Sequence, residues 1–157
     1  MTAAGIMTKE VLTIPGSGTM LDAFRLLKEK KVRQIPVLDG QNRVMGVITP
    51  RALMKAILPK YVSDGLVADV KFAPELPDFI RNIDSLALKK VVDLMERDFV
   101  AVRPETSTME VAALLVNPGK HADSVLVVDD GNRLLGIISP WDVFRRLWDY
   151  SEKKKKG

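Results

Sequence analysis

The sequence predicts an α/β fold built from two copies of one strand–helix–strand–strand–helix unit. Three observations carry that reading. Gly136-Ile137-Ile138-Ser139-Pro140-Trp141-Asp142 restates Gly46-Val47-Ile48-Thr49-Pro50-Arg51-Ala52 ninety residues earlier. At the same offset, Val127-Val128-Asp129 and Asn132-Arg133-Leu134-Leu135-Gly136 restate Val37-Leu38-Asp39 and Asn42-Arg43-Val44-Met45-Gly46. Further upstream, Asp93-Leu94-Met95 follows Gly5-Ile6-Met7 by 88 residues. Offsets that drift only in single-residue steps mark a duplicated unit.

In each glycine segment an apolar, β-branched strand runs into a helix start. The Ser or Thr serves as N-cap, its oxygen taking a bond from an otherwise unpaired backbone N–H. Proline follows, with φ already set and no N–H to leave unsatisfied. The second copy adds Asp142 three residues after Ser139, where the first copy has Ala52.

Taken in order, residues 6–14 form an entry segment passing into a short strand, broken by Pro15-Gly16-Ser17-Gly18. Thr19 and Asp22 have capping-box spacing. Met20, Ala23, Phe24 and Leu27 then mark one apolar helix face, ending near Lys30. Residues 34–39 and 44–48 read as strands of a hairpin turned at Gly40-Gln41-Asn42, and a helix from Pro50 to Leu58 stops at Pro59. Residues 60–84 repeat nothing. Pro74 and Pro77 oppose one continuous helix, whereas Phe72, Leu76, Phe79 and Ile80 are too apolar for a free linker, so an insertion packed on the body is expected, as a possible lid.

The second unit opens on a helix over 86–95 capped by Asp84 or Ser85, then a strand over 99–102. Met109, Ala112, Ala113 and Val116 are expected to repeat the face of Met20, Ala23, Phe24 and Leu27 at an offset of 89. Asn117-Pro118-Gly119 ends that helix. The last helix is expected from Pro140 to about Tyr150 with Val143, Phe144, Leu147 and Trp148 on its buried side, and residues 151–157 as a disordered lysine-rich tail. The methionines at 7, 20, 45, 95 and 109 read as core.

Bulk composition narrows the function. The chain of 157 residues is 46% apolar, enough for a core, and carries no apolar run near the roughly 18 residues of a membrane span. No signal peptide is apparent. There is no cysteine, which removes disulfides, thiol catalysis and cysteine metal sites, and suits a cytoplasmic protein. The net charge of +4 is supplied by Lys153 to Lys156 alone, so no broad basic face recommends nucleic acid. His121 is the sole histidine; with Asp123 it is too sparse for a metal site and it has no nucleophile partner. No paired carboxylates and no Gly-rich Lys-Ser/Thr phosphate loop are present, and an enzyme is not expected.

With these residues placed, the chain resembles a tandem pair of cystathionine β-synthase (CBS) domains, the Bateman module. The carriers are Ile6-Met7-Thr8 and Leu94-Met95, Arg33-Gln34-Ile35-Pro36-Val37-Leu38-Asp39, and the two Gly-x-x-Ser/Thr segments. The likeness covers one repeat over 3–58 and a second over 86–150, leaving out the insertion at 59–85 and the tail at 151–157. It implies two β-α-β-β-α repeats packed about a pseudo-twofold axis, a homodimer joined through the helices, no required cofactor, and clefts that take AMP, ADP, ATP or S-adenosylmethionine as regulatory ligand.

Carried onto this chain, the resemblance gives Ser139 and Asp142 as the hydroxyl and ribose-binding carboxylate. A carboxylate accepting two vicinal hydroxyls makes charge-assisted bonds. Pro140 and Trp141 lie between them, Trp141 as a stacking candidate. Val100, Val102, Ser124 and Val125 would frame the base. Thr49 keeps the hydroxyl in the first half, but Ala52 removes its carboxylate. Arg33 stands where nucleotide-binding members often have a basic residue; Asp123 at the equivalent place would repel a polyphosphate, with Lys120, His121 and Arg133 as possible compensation. The Ser139–Asp142 pair is also an ordinary helix cap. Two readings follow: an adenosine-ligand sensor that signals to a separate effector protein, or a ligand-free dimerisation scaffold.

Overall fold

The computed structural model describes residues 1–58, 65, 76–117, 119 and 122–157. In chain order they form α1 (Ala3–Ile6), β1 (Ile14–Pro15), α2 (Met20–Lys30), β2 (Ile35–Leu38), β3 (Val44–Ile48), α3 (Pro50–Ile57), α4 (Leu76–Ala87), α5 (Val91–Leu94), β4 (Ala101–Val102), α6 (Thr108–Leu115), β5 (Val125–Val128), β6 (Leu134–Ile138) and α7 (Pro140–Lys156). Two three-stranded sheets run β1-β2-β3 and β4-β5-β6. The duplicated α/β unit is therefore present. Phe72, Pro74, Lys120 and His121 lie outside the described residues.

The contacts group Ile14–Val37 with Met45–Arg97 as a first-repeat unit, and Met1–Thr13, Leu38–Val44 and Asp98–Gly157 as a second-repeat unit. The lead-in segments have changed places. Residues 1–13 pack with the second repeat, and 76–97 pack with the first.

In the second-repeat unit β4 pairs in parallel with β5 (Ala101 opposite Leu126), and β5 pairs antiparallel with β6 (Val125 opposite Ile138). Val125, Val127 and Ile138 face a core with Ala3, Ile6, Val102, Val111 and Val143. The lead-in is tied by Ala3 N–H to Thr106 O (2.8 Å) and by a two-way bridge between Thr8 and Ile137 (2.8 and 3.0 Å). Gly136 permits that approach, since a Cβ there would stand 2.7 Å from Met7 Sδ and 2.9 Å from Thr8 O. In the first-repeat unit Met20, Ala23, Ile35, Val37, Ile48 and Val91 are fully buried, and α4 packs on α2 and α3. Glu96 bridges Val47 in both directions (2.8 and 2.9 Å), again beside a glycine, Gly46.

The hairpin turns are Asx-stabilised. Asp39 Oδ1 accepts from the N–H of Gln41 and Arg43, and Asp129 Oδ1 from those of Gly131 and Arg133. Asn42 and Asn132 take the left-handed conformation at φ 63° and 65°, a region that asparagine tolerates better than most residues.

Several expected elements are corrected. The helix expected over 86–95 is two: α4 ends at Ala87, and α5 starts after Lys90, whose side chain makes no cap bond. Pro77 sits in the first turn of α4, where no intrahelical N–H is needed. In α6, Met109 is 82% and Val116 78% exposed, and Ala113 is exposed too; the buried residues are Thr108 and Val111. Ser107 caps α6 through Glu110 N–H as Thr19 caps α2 through Asp22 N–H. The two helices thus start 88 residues apart, and an offset of 89 selects the wrong face. Met20 and Met95 are core and Met7 and Met45 half-buried, while Met109 is on the surface.

Helix α7 runs on to Lys156 instead of stopping near Tyr150, so 151–156 are helical. Lysine is a good helix former, and cations in a last turn meet the negative end of the helix dipole. Only Val143 of its expected buried side is buried. Phe144, Leu147 and Trp148 are 58%, 47% and 54% exposed.

Candidate functional site

The site grows from the cap of α7. Ser139 is in extended backbone (φ −98°, ψ 165°), so its side chain reaches back over the first turn. Its Oγ accepts from Asp142 N–H at 3.3 Å and donates to Asp142 Oδ2 at 2.9 Å, while Ser139 N–H donates to the same oxygen at 2.8 Å. This reciprocal capping box fixes the carboxylate in one rotamer.

The other carboxylate oxygen is held more loosely. Thr8 Oγ1 donates to Asp142 Oδ1 at 3.3 Å, and Arg145 Nη2 lies 3.4 Å from it. Both distances are at the weak end for such bonds. The Asp142 side chain is 11% exposed and its Arg145 partner 58%, so one oxygen is committed to the helix and the other faces an exchangeable set of donors.

The remaining expected site residues separate into two groups. Val102 and Val125 are core side chains, half-buried Val100 packs against the same cluster, and Val100 O accepts from Leu126 N–H. Ser124 is 8% exposed, just before β5, and the β5–β6 register runs from Val125 opposite Ile138 toward Ser124 and Ser139. Pro140 is exposed at the first helical position. Trp141 is 64% exposed, and its ring stacks on Phe144 at 6.0 Å, which stacks on Trp148 at 6.3 Å. Thr49 and Arg33 belong to the first-repeat unit. Thr49 Oγ1 accepts from Ala52 N–H at 3.1 Å, and Arg33 is exposed. Among the described residues no group of histidine, cysteine or acidic side chains could hold a metal ion.

Thr8 is the member that sequence reasoning missed as a site residue. It was visible only as part of Ile6-Met7-Thr8; its partner lies 134 positions away, beyond any local pattern.

The fold recurs in known proteins. CBSX2 of Arabidopsis thaliana, a CBS-pair protein, superposes with a TM-score of 0.73 at 25% identity over 96% of each chain. CBSX2 in complex with AMP gives a TM-score of 0.70 at 26% identity, covering 96% of this chain and 98% of that one. An uncharacterized protein of Methanocaldococcus jannaschii, MJ1426, is 23% identical over 148 residues, 88% of this chain and 87% of the relative. Inosine-5'-monophosphate dehydrogenase of the same organism is 26% identical over 153 residues, but these make up only 25% of that enzyme. The CBS domain model matches residues 3–59 and 91–149, and the chain belongs to the CBS domain family as a pair of such domains.

Proposed function

We propose that this CBS pair is a non-catalytic regulatory module that binds an adenosine-containing ligand, AMP-like or S-adenosylmethionine, and passes that state to a separate effector protein. The observation that carries it is the Asp142 carboxylate, held rigid through Oδ2 by Ser139 and left exchangeable at Oδ1. Vicinal ribose hydroxyls would take the place of Thr8 and Arg145 there, each bond charge-assisted. The AMP complex of CBSX2 supports the ligand class. Binding would act by population shift, limited by how differently the ligand binds two states.

A homodimer through the helices is part of the same proposal. Met109 and Val116 on α6 and the Trp141–Phe144–Trp148 ladder on α7 are bare, whereas the equivalent pair α2 and α3 is covered by α4. A second copy is the occupant that would cover the ladder. No helix among the described residues is long and apolar enough to cross a membrane.

Thermal unfolding with AMP, ADP, ATP and S-adenosylmethionine tests the ligand. At 100 times its Kd a ligand should add about 2.7 kcal/mol. That is a rise of roughly 5–11 °C for a chain of this size. Asp142→Asn, measured against its own unliganded Tm because Asp142 also caps α7, should lose the rise. The scaffold reading is favoured by one observation, that every Asp142 oxygen already has a protein partner. It predicts no rise with any of the four.

A further inference from the structure

We propose that the first-repeat unit carries a site of a different chemistry: a cavity between α2, α3 and α4 that takes the tail of a free alkyl carboxylate, its head group on Lys28.

Helix α3 has apolar residues at 50, 53, 54 and 57, the spacing of one continuous stripe, yet none of its residues is buried. A stripe of that kind normally lies on a neighbour. Helix α4 packs against both α2 and α3, and Asn82 pins it there: its Nδ2 donates to Ile57 O, the last carbonyl of α3, at 3.0 Å. The space between the three helices is not closed. A cavity of about 490 Å³ is left, with Phe24 and Leu27 contributed by α2, Leu53 and Ile57 by α3, and Ile83 by α4. Ligand sites of roughly 300–1,000 Å³ are the rule, and they are mostly apolar with few polar groups.

The helix that builds this wall is not accounted for by the duplication. Residues 60–84 repeat nothing, and α4 takes most of its length from them. A helix added only to cover the stripe would bury its own apolar side chains in doing so. Instead Ile80 and Ile83 of α4 stay 50% and 39% exposed.

The lining selects the ligand. Seven of its eight residues are apolar, the eighth is Lys28, and none is acidic. Lys28 lies in the last turn of α2, one turn on from Phe24, and among the described residues it makes no ion pair. A lysine stem can lie along apolar surface while its ammonium stays in water. An amphiphile with an anionic head answers both halves of that arrangement, tail against the walls and carboxylate against the cation. A nucleotide does not, because its ribose and phosphates would face apolar walls without partners. A cationic amphiphile would meet like charge.

Calorimetric titration of the full chain with octanoate, decanoate and dodecanoate, each below its micelle concentration, tests this. One site is expected, tightening about two- to fourfold per added methylene. Lys28→Gln should weaken decanoate by about two- to fivefold, the scale of an exposed ion pair, and leave decanol unchanged. Met54→Trp, at a lining residue 58% exposed, fills the mouth and should abolish binding, with circular dichroism checking its fold. No dependence on chain length, or a Lys28→Gln chain that binds decanoate as the parent does, overturns the proposal. Binding that survives Met54→Trp but is lost in Trp148→Ala also overturns it, and puts the amphiphile on the α7 ladder. So does a parent that ignores the free acids but sediments with phosphatidylglycerol vesicles, which places the chemistry at a membrane. A flat decanoate titration together with a Met54→Trp chain that changes from dimer to monomer in sedimentation overturns it in favour of a second copy in the groove.

Discussion

At the scale of single residues, Thr108 has the clearest cost. It occupies in α6 the place of fully buried Met20 in α2, is 7% exposed, and its Oγ1 is buried without a hydrogen-bond partner. Thr108→Val keeps the shape and removes the unpaired hydroxyl, and should raise stability by about 1 kcal/mol in denaturant melts. Gly136 has the opposite sign. A Cβ there meets a backbone oxygen, which cannot swing away as a side chain can, so Gly136→Ala should cost roughly 1–3 kcal/mol. Because the displaced residue is Thr8, the same variant should also weaken ligand binding at Asp142. Neither effect was legible beforehand: the glycine repeat was plain, but the reason for it lies in a segment more than a hundred residues away.

At the scale of elements, caps and turns were readable because their chemistry is local. Thr19 with Asp22, Thr49 at α3, Ser139 with Asp142 and both hairpin turns involve partners within four positions. Helix faces were harder. The spacing of Met109, Ala112, Ala113 and Val116 suits an amphipathic helix, but which face is buried depends on where the cap sets the first turn, and a one-residue error turns a core methionine to the surface. Capping also imposes a pH dependence. Backbone and hydroxyl bonds from Thr19 hold Asp22 below the ordinary carboxylate range, and backbone N–H groups of Gln41 and Arg43 do the same for Asp39. A carboxyl whose pKa is lowered by folding stabilises the folded state above its unfolded pKa and loses that contribution as pH falls through the folded value. Asp22→Asn and Asp39→Asn should each flatten the acid limb of a stability–pH curve below about pH 4, leaving the neutral limb parallel to the parent.

At the scale of the whole chain, duplication was legible and the exchange of lead-ins was not. Hydrophobic pattern reports that residues are buried, never in which body. Ala3 and Ile6 belong to the core of the second-repeat unit, Val91 and Met95 to the buried set of the first. Deleting residues 1–7 should therefore speed amide exchange in β4, β5 and β6 while sparing α2 and β2, although the cut lies beside the first repeat in sequence. The stretch that was copied is thus not the stretch that folds. Each body takes its lead-in from the stretch that precedes the other repeat in sequence, so a lone repeat would carry a lead-in with no home and a home with no lead-in. Two such orphans would complete one another by trading arms, and the present chain reads as that trade made permanent by a covalent tether.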